Sequence, residues 1–306
     1  MSLEIVEKTG TEGIATLFVA RAPSGRFIEF VESFQPNQPI EKKWVLVLSV
    51  MHGCPVQCLM CDAGKAFGGN LSREEMLGQV DYLVRRRFPD GKVPTQKFKV
   101  QFTRVGEPAF NDHVLEVLEA LPSEYDAPGL IPSVSTVAPR GREKFFDRLL
   151  AIKQKHYRNG RFQLQFSIHT TDAEKRARLI PAPKWGFEEI AAYGRRFHEE
   201  GDRKITLNFA LMDGYPVEPK VVAEHFDPST FLVKITPLNP TKKARANKLT
   251  PAFDPCESNP VQPLVDEFKR LGFDVLVSIG ELEENRIGSN CGQFVGAYSG
   301  QAAPPR

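Results

Sequence analysis

Cys54-Pro-Val-Gln-Cys58-Leu-Met-Cys61 holds three of the chain's five cysteines, directly after the apolar run Trp44-Val-Leu-Val-Leu-Ser-Val50. Three thiolates on one short loop can hold three corners of an iron–sulfur cube and leave the fourth iron open to a small molecule. That arrangement suits catalysis, because an electron carrier can be capped by protein on every iron. Structural zinc wants four ligands, as a rule in two pairs. Here the next cysteine, Cys256, is far along the chain, and His52, the one nearby fourth ligand, stands only two residues before Cys54. Iron–sulfur is therefore the leading reading, zinc the second and inert thiols the third. The odd cysteine count argues against disulfides, and such a loop survives in a reducing compartment.

The elements that must position this loop follow from pattern. A chain of 306 residues suits one large α/β domain or two small ones. Strand patterns fall at Trp44–Val50, Phe98–Thr103, Ile131–Thr136, Phe162–Ile168, Ile205–Leu211, Phe231–Thr236 and Asp274–Ile279. Helical patterns lie between them, and Ser72-Arg-Glu-Glu75 has the form of a capping box. Alternation of this kind predicts an α/β fold: a parallel sheet covered by helices, closing at least partly into a barrel of six or seven units. Chemistry in such barrels gathers at the C-terminal ends of the strands. The expected organisation is an N-terminal extension over 1–43 with a short strand at Phe27–Val31, a barrel over 44–280, and a C-terminal segment over 281–306.

Polar and reactive residues recur where that rule places them. Arg104-Val-Gly106-Glu107-Pro108 follows the second strand, Ser135-Thr136 ends the third, Ser167-Ile-His169 ends the fourth, Pro237-Leu-Asn239 follows the sixth, and Cys291 lies past the last. Taken singly, each is more often a turn, a cap or a structural histidine; their coincidence on one rim is the signal. Thr241–Lys248 reads as a basic loop, either plainly solvated or a lid that contacts phosphate. Lys and Arg total 40 against 38 Asp and Glu, so the chain lacks the basic excess of a dedicated non-specific nucleic-acid binder. No run approaches the ~20 apolar residues of a membrane span. The start, MSLEIVEKTGTEG, has no secretory pattern, which gives a cytoplasmic expectation.

Cys54-x3-Cys58-x2-Cys61 matches the signature of radical S-adenosylmethionine (SAM) enzymes. The wider series resembles their RlmN/Cfr branch, the radical RNA adenine methyltransferases: Gly-Cys54-Pro-x-x-Cys, Val-Gly-Glu-Pro-Ala-Phe-Asn111, Val-Ser-Thr136, Phe-Ser-Ile-His169, Ala-Leu-Met-Asp-Gly214, Ile-Thr-Pro-Leu-Asn-Pro240 and Asn-Cys291-Gly-Gln-Phe, in that order. The resemblance spans roughly residues 27–296, with low identity between motifs. It implies a partial (β/α)6-type radical SAM barrel in which Cys54, Cys58 and Cys61 ligate a [4Fe–4S] cluster and SAM chelates the open iron. Gly106 and Glu107 would hold the methionine end of SAM, and Ser135, Ser167, His169 and Asn239 its ribose, carboxylate and sulfonium region. Cys291 would be methylated by one SAM, and the radical from a second would activate that methyl for addition to an adenine carbon. A one-electron donor such as flavodoxin or ferredoxin is implied, with RNA as a substrate class and no membrane.

Three departures stand beside that resemblance. The branch has a second catalytic cysteine seven residues before the first cluster cysteine, which breaks the covalent enzyme–RNA intermediate; here that position is Val47. The residues before the first barrel strand are too few for the branch's N-terminal RNA-binding domain. The branch's acidic residue upstream of that strand matches Glu29 as a catalytic residue, with Glu32 as rival. The expected activity is methyl transfer to an sp2 carbon of an RNA adenosine, a smaller heteroaromatic or a peptide side chain. The alternatives are a radical SAM reaction without methyl transfer, and a non-enzymatic iron–sulfur sensor or RNA-binding module.

Overall fold

The computed structural model describes residues 3–289, apart from residues 37, 65, 66, 255, 258, 259 and 281. Cys291 lies outside the described residues. The described strands are β1 (Glu4–Thr11), β2 (Ala15–Arg21), β3 (Phe27–Ser33), β4 (Lys43–Leu48), β5 (Met51–His52), β6 (Gly69–Asn70), β7 (Lys97–Phe102), β8 (Leu130–Thr136), β9 (Gln163–Ser167), β10 (Ile205–Leu211), β11 (Phe231–Pro237) and β12 (Val275–Val277). All but β5 and β6, which pair with each other, form one sheet whose order follows the chain from β1 to β12. Pairing is antiparallel from β1 to β4 and parallel from β4 to β12.

Helices fill the crossovers between the parallel strands. They are α1 (Arg73–Arg87), α2 (His113–Glu124), α3 (Glu143–His156), α4 (Ala173–Leu179), α5 (Phe187–Phe197), α6 (Pro219–His225), α7 (Lys242–Ala246) and α8 (Gln262–Arg270). A strand–helix–strand chain that returns each time to the next position is the layout of a barrel wall. Among the described residues the wall remains open, with β1 and β12 as its edges. Ser72 caps α1 with the reciprocal Glu75 contact that its sequence pattern requires.

Side-chain alternation divides the sheet into two unlike faces. In β4, Trp44, Leu46 and Leu48 point to the helices and are fully buried, while Val45 and Val47 point inward. The inward positions of later strands are mostly polar. Lys99 donates to Gln163 at 2.7 Å across β8, and Gln165 donates to Ser135 at 3.1 Å. A closed barrel core is usually packed with branched aliphatic residues; this one is built to face polar groups.

Residues 1–43, read from sequence as a polar prelude with one short strand, contain three strands. β2 escapes a period-2 reading because it is buried on both sides along Ala15–Ala20. β1 escapes it because it is a charged edge strand. The 241–248 segment, read as a loop, contains α7, capped by Thr241, whose Oγ1 accepts from the Ala244 amide at 2.9 Å. A further helix, α9 (Leu282–Ile287), lies on the inner side of the antiparallel strands. Its buried Ile287 packs with Ala15, Leu17, Val19 and Val31, beside Val47.

Gly194 of α5 meets β11 without a side chain, and a Cβ there would lie 2.1 Å from the ring of the fully buried Phe231. Gly194→Ala is expected to cost about 1–3 kcal/mol of unfolding free energy in chemical denaturation, outweighing a helix-propensity gain of about 1 kcal/mol. An unchanged or higher stability would show that Phe231 has room to move.

Candidate active site

Beyond β4 the chain passes through β5 into the cysteine loop, which lies between the two strands of the β5–β6 ribbon and turns at Gln57 with a left-handed φ of 62°. Gln57 Nε2 donates to the Cys54 carbonyl at 3.2 Å, and the Cys61 amide to the Cys58 carbonyl at 3.3 Å. Val56, Leu179, Met212, Leu238 and Ala244 form an apolar shell that Cys54, Cys58, Leu59 and Met60 pack against.

α7 fastens the loop from outside. Thr241 Oγ1 donates to the Met60 carbonyl at 2.8 Å, Asn247 Nδ2 to the Leu59 carbonyl at 2.9 Å and Lys243 Nζ to the Gln57 carbonyl at 3.0 Å. In return, the Asp62 carboxylate accepts from the amides of Lys242 and Lys243 at 3.1 and 2.9 Å, where the first turn of a helix leaves donors without partners. Sequence reasoning missed these supports. Thr241 after Asn-Pro240 was the available signal, as a helix cap.

The thiols sit in a poor environment for their charged form. Burial pushes Cys54 up to about 12, helped by Glu107 and Cys61. Burial likewise raises Cys58, followed by its two sister thiols and Glu107. Thiolates here need a cationic partner, which iron would supply. Among the described residues, no three His, Cys, Asp or Glu side chains converge on a single ion. The cube spreads three thiolates over three irons, so its ligands need no common centre. His52, weighed as a fourth zinc ligand, instead places Nδ1 3.4 Å from the Phe27 carbonyl.

The rim residues gather as the strand order requires. Gly106 has φ 109° and must be glycine, because a Cβ would fall 2.7 Å from Met51 and 2.8 Å from Val50. That close approach sets Glu107 beside the cysteine loop. The Glu107 carboxylate accepts from the Ala109 amide at 3.0 Å, the Val137 amide at 2.9 Å and Thr136 Oγ1 at 2.5 Å. Burial still pushes its carboxyl up to about 7. Ser135 and Ser167 lie half-buried on β8 and at the end of β9, and Asn239 lies half-buried just past β11. Asn111 anchors the strand that enters the loop, donating to the Val50 and Leu71 carbonyls at 2.7 and 2.9 Å. A hollow beside the loop is lined by Pro55, Phe67, Asn70, Phe110, Ala182 and Pro183, with Phe67 half exposed.

The two acidic candidates of β3 part by strand parity. Glu32 faces the helices, where Arg86 and Arg87 of α1 bind it, the latter at 2.8 Å. Glu29 faces inward and pairs with Arg104 at 2.8 Å, both side chains being almost fully buried. Val47 is in register with Val31, its side chain packed toward the Ile287 cluster. Cys256 is exposed, between α7 and α8.

His169 adopts a left-handed φ of 66°, a costly conformation for a residue with a Cβ. Its amide donates to the Asn208 carbonyl and its Nδ1 accepts from the Ala210 amide, both at 3.1 Å. Nε2 must then carry the proton of the neutral ring, a donor suited to a bound ligand. Burial, with a smaller contribution from Arg176, pushes its pKa down to about 3. A folded pKa below the unfolded value near 6.5 means that the stability from neutral His169 is present above about pH 6.5 and is lost as pH falls toward 3. His169→Gln, which keeps an acceptor and cannot titrate, is expected to flatten the stability profile across that window in denaturation series; identical pH slopes would refute the assignment.

No family model matches the chain. It is 28% identical over 271 residues to the probable dual-specificity RNA methyltransferase RlmN of Thermus thermophilus, covering 84% of this chain and 68% of that protein. It is 34% identical over 211 residues to a probable RNA methyltransferase of Ectopseudomonas mendocina, covering 68% of this chain and 54% of that one. The dual-specificity RNA methyltransferase RlmN of Halorhodospira halophila is 26% identical over 290 residues, with 91% and 72% covered. In fold, the chain matches a radical SAM methyltransferase from Sphaerobacter thermophilus with a TM-score of 0.72 at 22% identity, covering 96% of this chain and 81% of that one. A three-cysteine loop on a largely parallel α/β sheet, joined to this series of relatives, makes the chain similar to RlmN-type radical SAM RNA methyltransferases.

Proposed function

We propose that this enzyme methylates an sp2 carbon by way of an S-methylated Cys291, with an RNA adenosine as the leading substrate class and a smaller heteroaromatic as the next. The observation that carries the reading is the coupling of Glu107 to the cysteine loop: its charge bears on both Cys54 and Cys58. A carboxylate close enough to act on those two thiols is placed to receive an ammonium next to a metal cluster.

Cys54, Cys58 and Cys61 would hold a [4Fe–4S] cluster, one thiolate to each of three irons. When bound and reduced by a one-electron protein donor such as flavodoxin or ferredoxin, the cluster supplies reductive cleavage of SAM to a 5′-deoxyadenosyl radical. The chain's own part is orientation and exclusion of water. Glu107, fixed by two amides and Thr136, receives the amino group of SAM beside Gly106. His169 offers a neutral N–H, and Ser135, Ser167 and Asn239 supply hydroxyl and amide groups for the ribose, carboxylate and sulfonium region. α7 holds the loop from behind, and the apolar shell keeps water from its outer side. Cys291, outside the described residues, is the methyl carrier by its match to the branch. The hollow with Phe67 and Phe110 gives an unpaired base an aromatic surface beside the loop. The relatives' names speak of RNA, which supports that substrate class for this chain.

The test is chemical. After cluster reconstitution and treatment with SAM, digestion of the protein should show one added methyl on Cys291 and release of S-adenosylhomocysteine. Cys58→Ala should lose both the cluster's visible absorbance and that methyl. An unmodified Cys291, with 5′-deoxyadenosine formed and no S-adenosylhomocysteine, would instead show a radical SAM reaction without methyl transfer.

A further inference from the structure

Arg104 is the third residue before Glu107, and its amide roots it by donating to the Leu48 carbonyl at 2.9 Å. Its side chain, 1% exposed, turns to the inner face of the sheet. A buried guanidinium must find partners for its fork of N–H donors. Nη2 meets Glu29 Oε1 at 2.8 Å and the Gly288 carbonyl at 2.7 Å, and Nη1 donates to the Ser289 carbonyl at 2.8 Å. One cation thus joins β3, the start of the Gly106–Glu107 segment and the turn after α9.

That turn is itself closed. Gly288 has φ 75°, the left-handed conformation that ends a helix, and the Ser289 amide donates to the Glu284 carbonyl at 3.0 Å. Upstream, Thr11 and Ser33 hydroxyls reach Glu283 and Glu284 at 3.4 and 3.3 Å, and Ile287 is buried in the hairpin. Of these contacts, only that of Arg104 ties the turn to the segment that leads into Glu107. Cys291 is the second residue after Ser289 in the sequence.

We propose that Arg104 is the positioning residue for Cys291: held by Glu29, its guanidinium fixes the Gly288–Ser289 turn from which the thiol-bearing segment departs. Glu29 is then the counter-ion of this clamp. The proposal rests on the methyl-carrier reading for its consequence, but not for its geometry.

The test uses full-length protein loaded with its cluster. Glu29→Gln combined with Arg104→Met removes both charges, so that no buried carboxylate is left without a cation; Arg104→Lys keeps a cation but loses the fork. Three measurements are made: alkylation of Cys291 by iodoacetamide relative to the exposed Cys256, amide hydrogen exchange over 282–289, and methyl incorporation at Cys291 from SAM. The double variant should raise alkylation and exchange and lower methyl incorporation by about tenfold or more, with SAM still bound, and Arg104→Lys should fall between. Wild-type alkylation and exchange in both variants would overturn the clamp, and so would methyl incorporation at the wild-type rate in a loosened segment. If wild-type protein takes up no methyl, yet the variants change alkylation and exchange, the methyl-carrier reading fails and the positioning role stands.

Discussion

Four acidic groups crowd one end of this sheet: the thiols of Cys54, Cys58 and Cys61 and the carboxyl of Glu107. Burial acts against the charged forms of Cys54, Cys58 and Glu107, and repulsion from neighbouring acidic groups adds to it at the two thiols. Such a site is stable only if cations complete it and if the backbone around it cannot relax away. The architecture answers the second need with hydrogen bonds to main-chain atoms. Those on the Glu107 carboxylate are charge-assisted, each of the order of 1.5–3 kcal/mol. The α7 side chains and Asp62 do the same for the loop. Rigidity is what keeps the three thiols and Glu107 together before a cation completes the site.

The sheet makes this possible by giving its two faces opposite characters. The helix-facing residues, from Trp44 through Phe166 to Phe231, are fully buried and supply the cohesion of the fold. The inner face is free to carry Lys99, Gln163, Gln165 and Ser135, because stability is not asked of it. The Glu29–Arg104 pair belongs to that inner face, where a desolvated ion pair adds specificity of place more than stability.

Much of this was legible in the sequence, because parallel strands announce themselves as apolar runs and the rim rule then orders the polar residues between them. Each barrel strand lies within two residues of its expected limits, Ile205–Leu211 without any shift. The antiparallel strands were less legible: β2 is buried along nearly its whole length and β1 is an edge, so neither shows a clean alternation. Glu29 and Glu32 could not be separated by sequence, since their roles depend on which face of β3 each occupies and on cations 54 to 75 residues away. The role of Arg104 was invisible for the same reason: its partners come from β3 and from the turn after α9. α7 was hidden by its basic composition, which reads as solvated until Asp62 and Thr241 are seen to cap it.

The seating of α9 on the β1–β3 strands has a consequence for how the chain comes to be made. The inner side of that hairpin, with Leu17, Val19 and Val31, is covered by Ile287, a residue more than 250 positions later. A growing chain therefore exposes this apolar face until α9 has been made, and contacts of such sequence separation form slowly. The β1–β3 strands are thus finished only once α9 has been made, and the stem of the Cys291 segment is drawn into place by that same late closure.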